Sequence, residues 1–381
     1  MNIVHCCLSN FYIDNYNYQE NVLPIMNRND GHQVAIIAST ESFIENSKIG
    51  YIKEGNYYSK EGIKVYRVKY RRYLPQCIMK KVRSYNNVYK ILDNLSPDVI
   101  FFHGIQAFEL LTVAKYKSLN PHVKFYVDSH AYSANSATNW ISEKVLHRWF
   151  YKKIIKKAYN QIDRIFYITY ECKCFLEEIY DVGIEKLEYL PLGGNIMSLV
   201  ETKIYKDKIR KKLFLKEEDI LLVHSGKIDN QKRTIELIEA FLRANRDNLK
   251  LIIIGSISEK IKDTIMNLIC RSESIMYLGW KSSEELHEYL AACDIYMQPG
   301  GQSVTMQNAL CCGAALAVYP HKSHKFLLGD SVFYIKDVDD MVELFNQVSR
   351  NRELITEKRA LSYKLACEKL NYKIIASRLY K

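Results

Sequence analysis

"QPGGQSVTMQNALCCGAALAV", Gln298–Val318, joins a glycine-rich loop to a short helix and then to an apolar strand. The loop contains Pro299, Gly300 and Gly301, and Gly313 separates the helix from the strand. A glycine-rich turn that leads into a helix N-terminus is well suited to hold a phosphate, because the free backbone amides point at it. The stretch contains no charged residue. It therefore predicts a phosphate site without a carboxylate, which leaves open what chemistry follows there.

The same alternation of strand and helix runs through the whole chain. Short apolar runs such as NIVHCCL, DVIFFHG and ILLVHSG are each followed by a longer segment of helical character. Strands that alternate with helices favour parallel sheets covered on both faces. The alternation restarts after PLGGNIMS, Pro191–Ser198. We therefore predict an α/β fold made of two doubly wound, Rossmann-like domains.

Length and composition agree with two domains. A chain of 381 residues exceeds one core of ordinary size, and 48% hydrophobic with 25% charged residues is typical of globular proteins. The net charge of +11 indicates a partner that carries negative charge. We place an N-terminal domain at residues 1–195 and a C-terminal domain at residues 196–360. A final helix at residues 361–381 is expected to pack back towards the first domain.

Several classes of protein are disfavoured by what the sequence lacks. It contains no apolar run of membrane-spanning length, and its N-terminus does not resemble a secretion signal. Ten cysteines without a CxxC pair indicate reduced thiols in the cytoplasm. No GxGxxG follows a strand and no P-loop motif is present, which argues against nicotinamide and P-loop chemistry. No recognised nucleic-acid-binding module occurs either, so we expect no nucleic-acid partner.

Chemically useful residues follow the predicted strands directly. DVIFFHG ends on His103–Gly104, KFYVDSH ends on Asp128–His130, and ILLVHSG leads into Lys227. Ligands of doubly wound sheets bind beyond the carboxyl ends of the strands. Two such domains facing each other would form a cleft from two sets of these loops, and we expect the functional site there.

In order along the chain, the motifs resemble those of the retaining glycosyltransferases of family 4. The segments that carry the resemblance are PDVIFFHG, VDSH, YLPLGGN, SGKIDNQKRTIELIEAF, YLGW, AACDIYMQP and NALCCGAALAV. The resemblance implies the GT-B architecture and transfer of a sugar from a UDP- or GDP-sugar with retention of configuration. It implies a glycan or polyprenyl-linked acceptor in cell-surface polysaccharide synthesis. It also implies no cofactor and no metal for the nucleotide.

A pair of lysines could supply the charge that the opening stretch lacks. Lys227 and Lys232 flank a turn after a strand, where two cations can neutralise a diphosphate as it leaves a sugar. The family usually has arginine at the first position, and lysine keeps the charge without the bidentate fork. The alternative is that both are solvated surface lysines.

The resemblance also shows that two carboxylates of the family are missing. Asn308 stands where the family has the second glutamate of its Glu-x7-Glu motif, and Gly300 stands where it has the first. An asparagine still offers one acceptor and two donors to a ribose. Backbone amides at the helix start would cradle the diphosphate, with sugar contacts passing to neighbours. The expected donor-binding residues are Gly226, Trp280, Gly301, Gln302, Ser303, Val304, Thr305 and Asn308.

The first domain would hold the acceptor or sugar side of the site. The family has a histidine near the position of His130, close to the reaction centre, so we count His130 with the two lysines as catalytic. His103 could contribute or be structural. Asn17, Tyr18 and Gln19 occupy the first loop, where the family has glycines, and we expect them to face a substrate. His5 and His224 lie inside strand patterns and are interpreted as core residues.

Two further clusters could be mistaken for metal sites. His321 and His324 lack other ligands nearby and are interpreted as part of a loop beside the donor site. DVDD, Asp337–Asp340, precedes a helical segment and has the position of a helix cap. We therefore predict no metal site.

Basic residues concentrate in two segments of the first domain. HRWFYKKIIKKAYNQI carries Arg148, Lys152, Lys153, Lys156 and Lys157, and a second cluster spans Lys69–Arg83. Such clusters can contact an anionic membrane peripherally, although a solvated helix face is an equal alternative. For the whole chain, a catalytically silent binding or scaffold protein of the same fold remains possible. A UDP-sugar epimerase of similar architecture is a weaker alternative.

Overall fold

The computed structural model describes residues 1–44, 48–301 and 303–380. They form two compact units, one of Met1–Pro191 with Tyr372–Lys381 and the other of Leu192–Asn371. Each unit contains helices and a sheet dominated by parallel strands. The predicted α/β class with two doubly wound units is confirmed.

The chain passes from the first unit to the second after Pro191, a few residues before the domain boundary predicted at residues 195 and 196. The amide of Gly194 donates to the carbonyl oxygen of Leu370 at 2.8 Å, and Met197 donates to Cys311 at 2.9 Å. These backbone bonds tie the chain to the second unit soon after Pro191. The flexible Gly193–Gly194 pair is therefore part of the second unit.

The chain returns to the first unit later than residue 361. The helix Glu353–Leu365 is held in the second unit, where Arg359 Nε donates to the Gly313 carbonyl at 2.9 Å. Tyr363 likewise donates to the carbonyl of Met197. The segment from Tyr372 onwards packs in the core of the first unit. The C-terminal helical stretch therefore divides between the two units at residue 371.

The first unit is built on an eight-stranded sheet in the order β10-β9-β8-β7-β1-β2-β6-β5, with β5 antiparallel to β6 and the other neighbours parallel. A small antiparallel hairpin, β3–β4, lies outside it. The strands are β1 (Asn2–Cys7), β2 (Gln33–Ser39), β3 (Glu41–Phe43), β4 (Ile49–Tyr51), β5 (Gly55–Tyr58), β6 (Lys64–Val68), β7 (Val99–Phe102), β8 (Lys124–Ser129), β9 (Arg164–Tyr167) and β10 (Leu187–Tyr189).

Helices connect these strands. A π-helical segment, Ser142–Tyr151, leads directly into the helix that begins at Lys152. Among the described helices of the whole chain, none has both the length and the apolar character needed to cross a membrane. The helices of the first unit, before its C-terminal segment, are α1 (Gln19–Asn29), α2 (Gln76–Val82), α3 (Val88–Leu95), α4 (Leu110–Leu119), α5 (Ser133–Ser136), α6 (Lys152–Ala158) and α7 (Tyr170–Tyr180).

The second unit contains a fully parallel six-stranded sheet in the order β13-β12-β11-β14-β15-β16. Its strands are β11 (Ile220–Ile228), β12 (Leu249–Ile257), β13 (Ile275–Tyr277), β14 (Ile295–Gln298), β15 (Ala315–Val318) and β16 (Phe333–Tyr334). Its helices are α8 (Leu199–Lys212), α9 (Thr234–Ala244), α10 (Glu259–Ile269), α11 (Ser283–Ala292), α12 (Val304–Cys311), α13 (Lys322–Leu328), α14 (Val338–Arg350) and α15 (Glu353–Leu365), and α16 (Tyr372–Ser377) belongs to the first unit.

Two of the inner strands are apolar along their whole length. Every residue of β7, VIFF, and of β15, ALAV, is buried. Parallel strands that are covered on both faces need such continuous apolar runs, because neither face meets water. Polar side chains are thereby displaced to the strand ends, where the candidate site is built.

Part of the basic charge serves the fold. Asp294, which precedes β14, is buried and accepts from Lys206 Nζ at 2.8 Å and from the Leu221 amide at 2.9 Å. Arg210 and Arg359 lie 3.4 and 3.5 Å from the same carboxylate. Burial alone would raise the pKa of Asp294, but these cations hold it below its ordinary value. These three cations are therefore committed to a structural ion cluster.

Candidate active site

In the first unit, two predicted residues meet beyond the carboxyl ends of neighbouring strands. His103 follows β7 and His130 follows β8, and both contact the carboxylate of Asp128, the penultimate residue of β8. His103 Nδ1 lies 3.2 Å and His130 Nε2 lies 3.3 Å from Asp128 Oδ2. The Gly104 amide donates to the other carboxylate oxygen at 2.6 Å. One buried acid thus positions both histidines.

The contacts continue inward as a chain of buried polar groups. His103 Nε2 lies 3.0 Å from His5 Nδ1, and His5 Nε2 lies 2.9 Å from Asn27 Oδ1. Asn27, His5, His103 and Asp128 are fully buried, whereas the side chain of His130 is 24% exposed. His5 therefore lies in the core as predicted, but it also holds the inner ring of the pair. His130 is the member of this chain that can meet a ligand.

Burial and the shared acid give these groups different charges. Burial on its own would lower the pKa of His130, but the Asp128 carboxylate raises it to about 9. Burial would raise the pKa of Asp128, yet His130 and His103 hold it below its ordinary value. Burial, followed by repulsion from His103, lowers the pKa of His5 to about 3. At neutral pH the outer histidine is a cation beside a carboxylate, and the innermost is neutral.

The ion pair of His130 predicts a pH-dependent stability. A histidine whose pKa is raised on folding stabilises the fold fully below its ordinary value of 6.5, and this stability is lost as pH rises through about 9. We expect His130→Asn to lower the free energy of unfolding by about 1–3 kcal/mol below pH 6.5, with a smaller loss at pH 9. Urea denaturation of both proteins across this range measures the difference.

The exposed His122 provides the matched control, and His122→Asn should change the free energy of unfolding little. A difference for His130→Asn that stays constant between pH 6.5 and 9 would contradict the ion pair.

The three predicted residues of the first loop separate in the structure. Asn17 is exposed and lines a cavity of about 400 Å³ together with Tyr12 and Asp14. Tyr18 precedes α1 and is 45% exposed, whereas Gln19 is buried. The next side chain, Glu20, is close enough to His130 to raise its pKa further. The start of α1 therefore approaches the histidine, with Asn17 and Gln19 in different environments.

In the second unit, the turn after β11 brings Lys232 to the glycine-rich loop. Its Nζ lies 3.4 Å from the Gly301 carbonyl oxygen, and the side chain is half-buried. Burial lowers the pKa of Lys232, and the nearby Asp229 offsets part of that shift. Lys227, the penultimate residue of β11, is exposed. The predicted pair thus consists of one lysine held at the loop and one at the surface.

Glycines permit this close approach. Gly226 has a φ of 136°, a conformation that other residues rarely adopt, and the Lys232 side chain lies over it. The Gly301 amide donates to the Gln231 carbonyl at 2.8 Å. A Cβ at Gly300 would lie 2.0 Å from that same oxygen. Position 300 therefore faces the backbone of the turn, and this close approach is a structural reason for glycine there.

One of the amides expected to cradle the diphosphate at the start of α12 already has a partner in the protein. Ser303 is the N-cap, and its hydroxyl accepts from the Thr305 amide at 3.3 Å. The amide of Thr305 is thereby used within the protein. Among the described residues, the amides of Ser303 and Val304 have no such partner and are available to an anion. Asn308 lies one turn further along, half-buried. Gln302 lies outside the described residues.

Trp280 lies beside the same edge of the sheet. It is 72% exposed and follows Gly279, whose carbonyl accepts from the Gly255 amide at 2.8 Å. Its indole thus lies at the surface next to the carboxyl ends of β12 and β13, a position from which an aromatic ring can stack on a planar ligand.

Two residues of this region were not assigned a site role from the sequence. Arg233 follows Lys232 directly and its Nη1 lies 3.4 Å from the Pro299 carbonyl, so it also ties the turn to the loop. His224, predicted as core, is buried and joins the Met297 carbonyl at 2.8 Å to the Thr234 hydroxyl at 2.9 Å. The sequence signal that could have identified Arg233 was its position as a second cation directly after Lys232.

The two clusters that could be mistaken for metal sites make other contacts in the structure. Asp337 caps α14, where its carboxylate accepts from the Asp340 amide at 2.9 Å. His321 Nε2 lies 3.3 Å from the Gly300 carbonyl, beside the glycine-rich loop. Within residues 1–44, 48–301 and 303–380, no group of three or more His, Cys, Asp or Glu side chains is placed to hold a metal ion.

Comparison with known proteins bears on the fold and on the class of enzyme. Residues 205–363, within the second unit, match the family model described as glycosyl transferases group 1. The chain has the GT-B fold. The match and the fold together support a glycosyltransferase. No curated protein matches the sequence.

Solved structures of this fold align along nearly the whole chain. HepE from Anabaena in complex with UDP has a TM-score of 0.64 at 12% identity, covering 99% of this chain and 98% of its own. A glycosyltransferase from Rickettsia africae has a TM-score of 0.68 at 11% identity, covering 99% and 96%. WaaG, a glycosyltransferase involved in lipopolysaccharide biosynthesis, has a TM-score of 0.62 at 14% identity, covering 99% of each chain. At these identities the likeness shows the fold.

The contact between loop and turn can be tested at Gly300. We expect Gly300→Ala to destabilise the protein by about 1–3 kcal/mol, because the new methyl group displaces the Gln231 carbonyl. Gly301→Ala is the matched control, since its Cβ would lie 3.7 Å from that oxygen in ordinary contact. Denaturant unfolding measures both. Equal stability of the two variants would contradict the close approach.

Proposed function

We propose that this protein is a retaining glycosyltransferase of family 4 type that transfers a sugar from a nucleotide diphosphate sugar. The observation that carries the proposal is Lys232, held half-buried against the glycine-rich loop that leads into α12. A cation and free helix-start amides at one place form a site for an anion. The match of residues 205–363 to group 1 glycosyl transferases supports a nucleotide sugar as the donor.

The second unit would bind the donor in three parts. Lys232 and the amides of Ser303 and Val304 hold the diphosphate, with Lys227 adding charge from the surface. Asn308 offers its amide to the ribose hydroxyls in place of the family's glutamate. Trp280 offers a ring face to the base. UDP and GDP both fit this set of groups.

In the proposed reaction, the bond between the anomeric carbon and the donor phosphate breaks, and its electron pair stays on the phosphate oxygen. The acceptor oxygen bonds to the same face of that carbon, and its proton passes to the departing phosphate oxygen. Lys232 lowers the energy of the transition state because negative charge grows on the diphosphate as it leaves. This reaction therefore needs no protein carboxylate as a base.

The first unit would bind the acceptor, a glycan or a lipid-linked glycan. His130 is its candidate catalytic group, because it is the partly exposed end of a buried chain of contacts and carries charge. As a cation it donates hydrogen bonds to substrate oxygens. Asp128 and His103 act as positioning residues for it.

Donor binding tests the lysine assignment. We expect Lys232→Ala to weaken the binding of UDP or GDP by about 1–3 kcal/mol, the scale of a hydrogen bond to a charged group, and Lys227→Ala to weaken it less. Titration calorimetry of the nucleoside diphosphates measures the affinity. The exposed Lys262 pairs with Glu259 on α10, and Lys262→Ala is the control that should leave affinity unchanged. Unchanged affinity in Lys232→Ala would remove the assignment.

A donor assay with the unmodified protein distinguishes sugar transfer from the two alternative functions. Incubation with a panel of UDP- and GDP-sugars should give slow hydrolysis of one donor, with release of the sugar in its original anomeric form. Nucleotide binding without turnover of any donor would favour a silent binding protein. Conversion of a UDP-sugar to its epimer would favour an epimerase.

We also propose a cytoplasmic location at the inner membrane surface, supported by an exposed apolar stripe beside basic residues. Ile141, Val145 and Trp149 follow one another at four-residue spacing and are 67, 45 and 57% exposed, and Trp140 is 69% exposed. Lys153 Nζ lies 4.7 Å from the Trp149 ring centre. Aromatic and basic side chains together favour an anionic lipid interface.

The structure changes which basic residues matter for this contact. Lys152 and Lys156 pair with Asp181 at 2.7 and 3.2 Å, so part of the expected charge is neutralised. We therefore expect Trp140→Ser with Trp149→Ser to abolish flotation with anionic vesicles at low salt. Phe214, 93% exposed in the second unit, provides the control variant Phe214→Ser. Equal flotation of the double variant and the control would contradict the contact.

A further inference from the structure

A cavity of about 280 Å³ lies wholly within the first unit, at the carboxyl ends of β7 and β8. His130 lies in its wall, and the loops after β1 and β7 contribute Asn10 and Gln106. Lys81 and Arg83, at the end of α2, also line it. The segment Ser142–Tyr151 contributes further lining residues.

The charges of this cavity are of one sign. Lys81 and Arg83 are cations, and Asp128 keeps His130 protonated at neutral pH. Among the described residues that line the cavity, none is acidic. Of these three positive groups, His130 is already paired with the Asp128 carboxylate 3.3 Å away. An anion in the cavity would therefore chiefly offset the charges of Lys81 and Arg83.

Arg83 is held in place but lacks a counter-ion. Its Nη1 donates to the Ser9 hydroxyl at 2.6 Å and to the Gln106 carbonyl at 2.9 Å. Within the described part of the chain, no carboxylate lies within 4 Å of Arg83 or of Lys81. By contrast, the buried Arg67 pairs with Asp14 at 2.8 Å. A half-buried guanidinium with neutral partners alone is arranged to receive a charge from outside.

The remaining described residues of the lining are uncharged, and several of them are hydrogen-bonding groups. Burial lowers the pKa of His147 to about 4, so this ring is uncharged at neutral pH. It accepts from the Tyr180 hydroxyl at 2.6 Å and donates to the Ser136 carbonyl at 3.1 Å. The Ser142 hydroxyl donates to the same carbonyl. The lining of the cavity therefore combines cationic groups with neutral polar groups.

We propose that this cavity binds the anionic group, a phosphate or a carboxylate, of the acceptor. The anion would lie between Arg83, Lys81 and His130, and the neutral part of the acceptor would face His147 and Ser142. The substrate class is thereby narrowed to an acceptor that carries negative charge next to its reacting sugar or alcohol. The identification of the ligand as the acceptor rests on the proposed function, whereas the anion site itself does not.

The test uses the full-length protein without any nucleotide. Inorganic phosphate and acetate are titrated separately while the imidazole NMR signal of His130, assigned from His130→Gln, is followed. We expect saturable displacement of that signal by at least one anion and an affinity about tenfold lower in Arg83→Gln and Lys81→Gln, the loss expected for a charged hydrogen bond. Arg83→Lys, which keeps the charge, should bind better than Arg83→Gln.

Lys80→Gln is the matched control, because Lys80 adjoins Lys81 on α2 and its Nζ lies over the Tyr51 ring. It should bind anions like the wild type. A response to phosphate alone identifies a phosphorylated acceptor, and a response to acetate identifies a carboxylate. No response of His130 to either anion, or equal affinity in Arg83→Gln, overturns the proposal.

These results are independent of the donor experiments. If nucleoside diphosphates bind and a donor is hydrolysed while His130 ignores both anions, the cavity assignment alone fails. If anions bind in the cavity while no nucleotide binds, the transferase proposal fails and the anion site remains.

Discussion

The hydrogen bond from the Gly301 amide to the Gln231 carbonyl, 2.8 Å long, organises the candidate donor site. It holds the loop after β14 against the turn after β11, and position 300 has no room for a side chain because the two backbones touch. The contact brings Lys232 to within 3.4 Å of the Gly301 carbonyl, in the loop that leads into α12. A cation thus lies against a loop that itself carries no charged residue. In the proposed function, this lysine and the first amides of α12 would hold the diphosphate without a carboxylate.

The first unit uses one buried acid in a comparable way. Asp128 contacts His103 and His130 and accepts from the Gly104 amide, so the two segments that follow β7 and β8 are fixed around it. Burying a carboxylate is costly unless charge and hydrogen bonds compensate, and the protonated His130 supplies much of that compensation. A cation is thereby maintained at the edge of a cavity that contains two more. The electrostatics of the fold and of ligand binding are linked through this residue.

Sequence patterns predicted the parts of the protein that depend on short-range periodicity and on strand ends. The α/β class, the residues that follow β7, β8 and β11, and the Asp337 helix cap were all accessible in this way. The clash at Gly300, the pairing of Lys152 with Asp181 and the cavity around Arg83 were not, because each depends on side chains brought together over long sequence separations. The unit boundary near residue 371 was missed for a related reason. The C-terminal helical stretch has one continuous pattern, and only its packing shows that α15 and α16 belong to different units.

The central claim is that a nucleoside diphosphate binds between Lys232 and the start of α12. Hydrogen–deuterium exchange with and without saturating UDP or GDP tests it most directly, because exchange reports on individual backbone segments. The account predicts slower exchange at the amides of Ser303 and Val304 and in the turn at Asn230–Lys232, with this protection lost in Lys232→Ala. Protection confined to other segments, or none in either place when nucleotide is bound, would contradict the account.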